Sequence, residues 1–141
     1  MNGNSIVRIG IGLLFVWGGL EKFIPGFFGG VGLDAMSEFL KQSGLSFLGG
    51  GTYIVGALLA AAELIAGILI LANKRLFEAY LAVAFFMFMA LILVWLPAVF
   101  SSESILASSG WMNVMIHITL MLVPLGLAFE AREKSQISKE N

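Results

Sequence analysis

Apolar residues dominate this chain in four long runs, interrupted at a few sharp places by polar ones. The runs cover residues 6–24, 53–72, 77–100 and 111–129, the first with an unbroken core at 9–20. Each approaches or exceeds the roughly 20 residues needed to cross a hydrocarbon core of about 30 Å at 1.5 Å per residue. None alternates apolar and polar positions as the strands of a membrane barrel do. The pattern predicts four membrane-spanning helices. The run 6–24 lacks an A-x-A-like cleavage site and ends in Glu21-Lys22-Phe23-Ile24-Pro25, so it reads as a retained span and not as a signal peptide.

The connections differ in character. Asn73-Lys74-Arg75-Leu76 reads as a tight turn and 101–110 as a short polar loop. The connection 25–51 is longer. Within it Leu33, Met36, Phe39 and Leu40 recur at helical spacing, opposite Asp34, Glu38 and Lys41. That spacing predicts a short amphipathic helix lying on the bilayer surface or capping the bundle. The expected fold is therefore all-α: an integral membrane four-helix bundle with a short extracytoplasmic amphipathic helix between helices 1 and 2. It forms one domain over residues 1–130, followed by a charged, frayed tail at 131–141.

Composition narrows the class further. The chain has 141 residues, 59% of them hydrophobic and 12% charged, about half the charged fraction of a soluble domain, which is about 25%. Its mean hydropathy is +0.95. A net charge of −1 without a basic cluster gives no reason to expect a nucleic-acid partner. The absence of cysteine excludes disulfides, thiol redox chemistry, iron–sulfur clusters and cysteine-bound zinc. One histidine cannot supply bis-histidine haem ligation, so no metal site and no cofactor held by this chain alone is expected.

Lysine and arginine set the expected orientation. Arg8, Lys74, Arg75, Arg132, Lys134 and Lys139 fall on one side of a four-span topology, and only Lys22 and Lys41 on the other. The positive-inside rule then puts both termini in the cytoplasm, with the chain in a prokaryotic cytoplasmic membrane as the expected location.

Against this background one carboxylate stands out. Glu63 sits inside AAAELIAGILIL, where an ionised side chain facing lipid costs about 2.5–3.5 kcal/mol. It falls about 15 Å below the outer boundary, near midplane, and His117 roughly 9 Å below it. Helical side chains lean toward their own N-terminus, so Lys22 leans inward and Glu63 outward, toward each other. Lys22 is the expected partner. Gly56, Ala60, Glu63 and Gly67 share a stripe of small residues that lets another helix approach. Asn113 and His117, one turn apart, face the same way. Lys22, Glu63, His117 and Asn113 are thus candidates for ligand binding or a proton relay, and Arg8 and Glu78 for a structural ion pair. A plainer reading stands beside each. On that reading the Lys22–Glu63 pair only fixes register, His117 satisfies interior hydrogen bonds, and Arg8 anchors at the interface. Trp17, Trp95 and Trp111 read as packing or interfacial residues, and Pro97 and Pro124 as bends or helix ends.

The series Arg8-Ile9-Gly10-Ile11-Gly12-Leu13-Leu14-Phe15, Gly19-Leu20-Glu21-Lys22-Phe23, Glu63-Leu64-Ile65-Ala66-Gly67 and the basic turn Lys74-Arg75 resembles the DoxX family of small four-helix membrane proteins. The resemblance covers roughly residues 5–95. It implies that Arg8, Lys22 and Glu63 are the family's polar residues, and that Gly19 and Gly67 sit at close helix contacts. Asn113 and His117 lie outside the matching motifs. Some members of that family are subunits of thiosulfate:quinone or quinol oxidoreductase complexes. The expected function is accordingly an accessory membrane subunit of a quinone-linked oxidoreductase complex, whose polar intramembrane cluster binds a quinone. The alternative is a non-catalytic scaffold or assembly protein, or a small-molecule transporter acting as an oligomer. Expected partners are membrane lipid and other membrane subunits or further copies of the chain. Whether the chain is itself an enzyme stays open at this level.

Overall fold

Proline and glycine end the first helix where the sequence predicts. In the computed structural model, which describes residues 3–105 and 108–140 with the side chains of 138–140 excepted, α1 runs Gly3–Phe23 and stops before Pro25. Lys139, counted in the charge bias, thus lies outside the described side chains, as do positions 106–107 of the expected loop. The amphipathic segment forms α2, Gly32–Leu40, followed by a wide turn at Lys41–Leu45 and a short 3-10 turn at Ser46–Leu48. Then come α3, Gly51–Leu71, and α4, Leu76–Ala90. A π-helical turn at Leu91–Trp95 leads into α5, Leu96–Phe100, and α6 covers Gly110–Glu140. The described residues contain no strand.

Three helical stretches are long and apolar enough to cross a membrane: Gly51–Leu71, Leu76–Phe100 and Gly110–Ile137. The first expected span also forms a helix of the predicted extent, but it carries Arg8, Glu21 and Lys22 and is not among the three. The outward faces of the spans are apolar: Ile54, Leu58, Ile65 and Ile68 of α3 are all exposed. A helix in water would place polar side chains there. The chain is an integral membrane protein.

Two compact units divide the chain, Met1–Arg75 and Leu76–Asn141. In the first, α1 and α3 pack antiparallel along glycine. A Cβ on Gly67 would lie 2.6 Å from the Val16 nitrogen, and one on Gly19 would lie 2.8 Å from the Leu64 nitrogen and 2.9 Å from the Ala60 carbonyl oxygen. Backbone meets backbone at both points, a closeness that only small residues permit. Matching Val16 with Gly67 and Gly19 with Ala60 and Leu64 leaves the start of α3 overhanging the end of α1 by roughly 13 Å. Across this overhang lies α2, with Met36 and Leu40 against Gly56. Buried Ser37 donates to Thr52 Oγ1 at 2.7 Å, since the Thr52 hydroxyl itself donates to the Gly49 carbonyl at 2.8 Å. The amphipathic helix is thus fastened to α3 by both apolar and polar contacts.

The turn after α3 is a Schellman-type cap. Asn73 adopts φ 58, its N–H donates to the Ile70 carbonyl at 3.2 Å, and the Lys74 N–H donates to the Leu69 carbonyl at 2.9 Å.

In the second unit α4 and α6 pack around Leu91, Val99 and Val114, with Trp95, Leu96, Trp111 and Ile118 against them. Pro97 explains the π-helical turn. Its ring has no N–H and crowds the carbonyl four residues back, so the preceding turn widens, and the Leu96 N–H reaches the Leu91 carbonyl. Pro124 lies inside α6, which continues through it. The expected frayed tail is instead a continuation of that helix. Its residues are good helix formers, Glu130 and Lys134 pair one turn apart, and Arg132 lies 5.7 Å above the Phe77 ring.

Candidate functional site

The first unit concentrates its charge at one place. Lys22, in the last turn of α1, points back along its own helix, and Glu63, twelve positions into α3, leans the opposite way. They meet: Lys22 Nζ donates to Glu63 Oε2 at 2.9 Å. The same ammonium donates to the Gly18 carbonyl at 2.7 Å and to Glu21 Oε1 at 3.4 Å. Three N–H groups thus have three acceptors. Both side chains of the pair are 14% exposed. Glu63 lies about 18 Å along α3 from its first residue, close to half the length of the helix. A lone charge at that depth is costly, and the pairing relieves it.

Gly18 is what lets the carboxylate settle beside α1. A Cβ there would meet Glu63 Oε2 at 3.7 Å and Lys22 Nζ at 4.0 Å and nothing else nearby, so this face of α1 is open over the pair. One residue on, Gly19 is closed against α3. Two adjacent glycines therefore do different work.

Arg8 grips the other end of the same helix pair. Its Nη1 donates to the carbonyls of Ile70 at 3.0 Å and Leu71 at 3.1 Å. These are among the terminal carbonyls that no intrahelical N–H can satisfy, and the negative end of the helix dipole favours a cation there. The sequence predicts a pair of Arg8 with Glu78, a residue that belongs to the second unit. The observed acceptors are backbone atoms of α3.

His117 and Asn113 lie in the second unit, on α6. Trp95 Nε1 donates to His117 Nε2 at 3.0 Å. An indole N–H is a donor only, so Nε2 must accept, and the proton of the neutral imidazole sits on Nδ1. From there it donates to the Asn113 carbonyl at 2.8 Å. Both ring nitrogens are engaged, and the contribution of Asn113 is its backbone. Trp95, read from sequence as packing, is the partner that fixes the tautomer. The π-helical turn that ends at Trp95 aims it.

Among the described residues no three His, Asp or Glu side chains are grouped to hold a metal ion. The arrangement offers instead a charged, hydrogen-bonding spot within an apolar surface. The DoxX family model matches residues 3–98, which takes in Arg8, Lys22, Glu63 and Trp95 and leaves out α6. The comparison with curated proteins found no match, and neither did the comparison with solved structures.

Proposed function

The chain belongs to the DoxX family of membrane proteins, and we propose that it serves as an accessory subunit of a quinone-linked oxidoreductase complex, with the Lys22–Glu63 pair as the docking point for the quinone-class head group. The observation that carries this reading is the ion pair itself. Glu63 sits near the middle of α3, the pair is reachable over Gly18, and Glu63 Oε2 and Lys22 Nζ are joined at 2.9 Å. Intramembrane ionisable groups mark ligand or proton paths more often than they mark stability. Among the described residues no three His, Asp or Glu side chains are grouped to hold a metal ion; in this reading electrons pass through the quinone and a partner's cofactor. The lysine and arginine bias supports cytoplasmic termini.

The test is extraction from the native membrane in a mild detergent, followed by mass spectrometry of the proteins that accompany the chain. Recovery with a haem, flavin or iron–sulfur protein is the expected result. Recovery alone, or only with further copies of itself, would overturn the subunit role and favour a scaffold or an oligomeric transporter.

A further inference from the structure

We infer that the Lys22–Glu63 site takes a hydroxyl-bearing head group, the quinol and not the quinone, received over the bare backbone of Gly18. This rests on the quinone-linked reading above and names the redox form that docks.

Donor and acceptor capacity carries the inference. The three N–H groups of Lys22 are taken by Gly18 O, Glu63 Oε2 and Glu21 Oε1. A quinone has two carbonyl oxygens and only accepts, so it would have to displace one of these bonds. The spare capacity of the cluster is all of the other kind. Among the described residues Glu63 Oε1 and Glu21 Oε2 have no hydrogen-bond partner, and neither is sealed from the surface. Ionised carboxylates are acceptors only. Charge acts in the same sense. Glu21 and Glu63 against Lys22 leave a formal excess of one negative charge, which attracts an O–H dipole and repels a carbonyl oxygen, the more strongly in a low dielectric.

Shape gives the approach. The Gly18 face is open over both charged atoms, whereas Gly19 beside it is packed on Leu64 and Ala60. One turn earlier on the same face, Leu14 is 37% exposed and continues the approach as apolar surface, which suits a hydrocarbon tail. A flat ring lying on the Gly18 backbone would bring a hydroxyl up to the Glu63 carboxylate.

The experiment is calorimetric titration of the protein in lipid nanodiscs, under anaerobic conditions, with a decyl-substituted hydroquinone and with the benzoquinone of the same substitution. The hydroquinone is expected to bind roughly tenfold or more tightly than the quinone, because a site that accepts from a hydroxyl is left unpaired by an analogue lacking it. Gly18→Ala, whose Cβ has room, is expected to weaken hydroquinone binding while keeping the thermal stability of the parent, and Gly18→Leu to abolish binding. In Glu63→Gln the new amide N–H can donate to a carbonyl, so the preference should collapse. Equal or tighter binding of the quinone, or unchanged binding in Gly18→Leu, would overturn this inference and leave the quinone-linked reading standing. Binding of neither probe would overturn both it and the docking role of the pair, whatever the outcome of co-purification.

Discussion

Arg8 Nη1 lies 3.1 Å from the carbonyl oxygen of Leu71, and so α1 holds the exposed C-terminus of the helix packed against it. Removing the guanidinium leaves that carbonyl without its donor. Arg8→Ala should cost about 1–2 kcal/mol of stability, within the range for charged hydrogen bonds and the lower range inside membranes. Arg8→Lys should recover part of it, since an ammonium cannot reproduce the guanidinium fork. Glu78→Gln should leave stability unchanged. Thermal unfolding in detergent measures all three, and a Glu78→Gln loss equal to that of Arg8→Ala would restore the ion pair expected from sequence.

Gly67 and Gly18 should respond oppositely to the same added methyl group. At Gly67 the methyl meets the Val16 nitrogen and the Gly12 carbonyl oxygen, atoms that move only if the helices part. Gly67→Ala is expected to cost about 1–3 kcal/mol. Gly18→Ala, with contacts at 3.7 and 4.0 Å, should be near neutral. The same unfolding assay compares them.

Trp95 should fix the tautomer of His117. Nitrogen-15 spectra are expected to show Nδ1 protonated and Nε2 bare, as the indole hydrogen bond requires. Trp95→Phe keeps the ring but leaves Nε2 without a donor, at an expected cost of about 1–3 kcal/mol. A protonated Nε2 in the parent protein would contradict the assignment.

The chain contains no cysteine, so single introduced thiols report topology without background. Gln42→Cys and Ser135→Cys both fall at exposed positions. With cytoplasmic termini, a membrane-impermeant maleimide should label the first in intact cells and the second only after lysis. The reverse pattern would invert the orientation.

Much of this arrangement is legible in the residues themselves. Charges are rare in an apolar run, so Glu63 announces itself, and helical rise and the lean of side chains suffice to pair it with Lys22. Gly67 emerges from the small-residue stripe, and Gly19 from the family resemblance. Arg8 does not, because its acceptors are backbone carbonyls, and carbonyls carry no residue identity. The Trp95–His117 bond is hidden for a different reason. The π-helical turn before Pro97 inserts an extra residue into the helical repeat and rotates the residues beyond it by about 100°, so a regular 3.6-residue wheel misplaces the Trp95 face. In the tail, charge suggests fraying, but residue types that favour a helix and pair along it outweigh that signal.

The central claim is that the Lys22–Glu63 pair is kept for a ligand and not for register, and one combined variant tests it most directly. Lys22→Met alone strands the carboxylates of Glu63 and Glu21, at a cost of about 3–5 kcal/mol, whereas Lys22→Met, Glu63→Leu and Glu21→Gln together replace the cluster with neutral volume at little cost. In membranes whose only copy is the combined variant, the protein should accumulate and unfold as the parent does, while quinol-dependent electron transfer by the complex is lost. Parental stability together with undiminished quinol-dependent electron transfer would contradict the claim and make the pair a packing device.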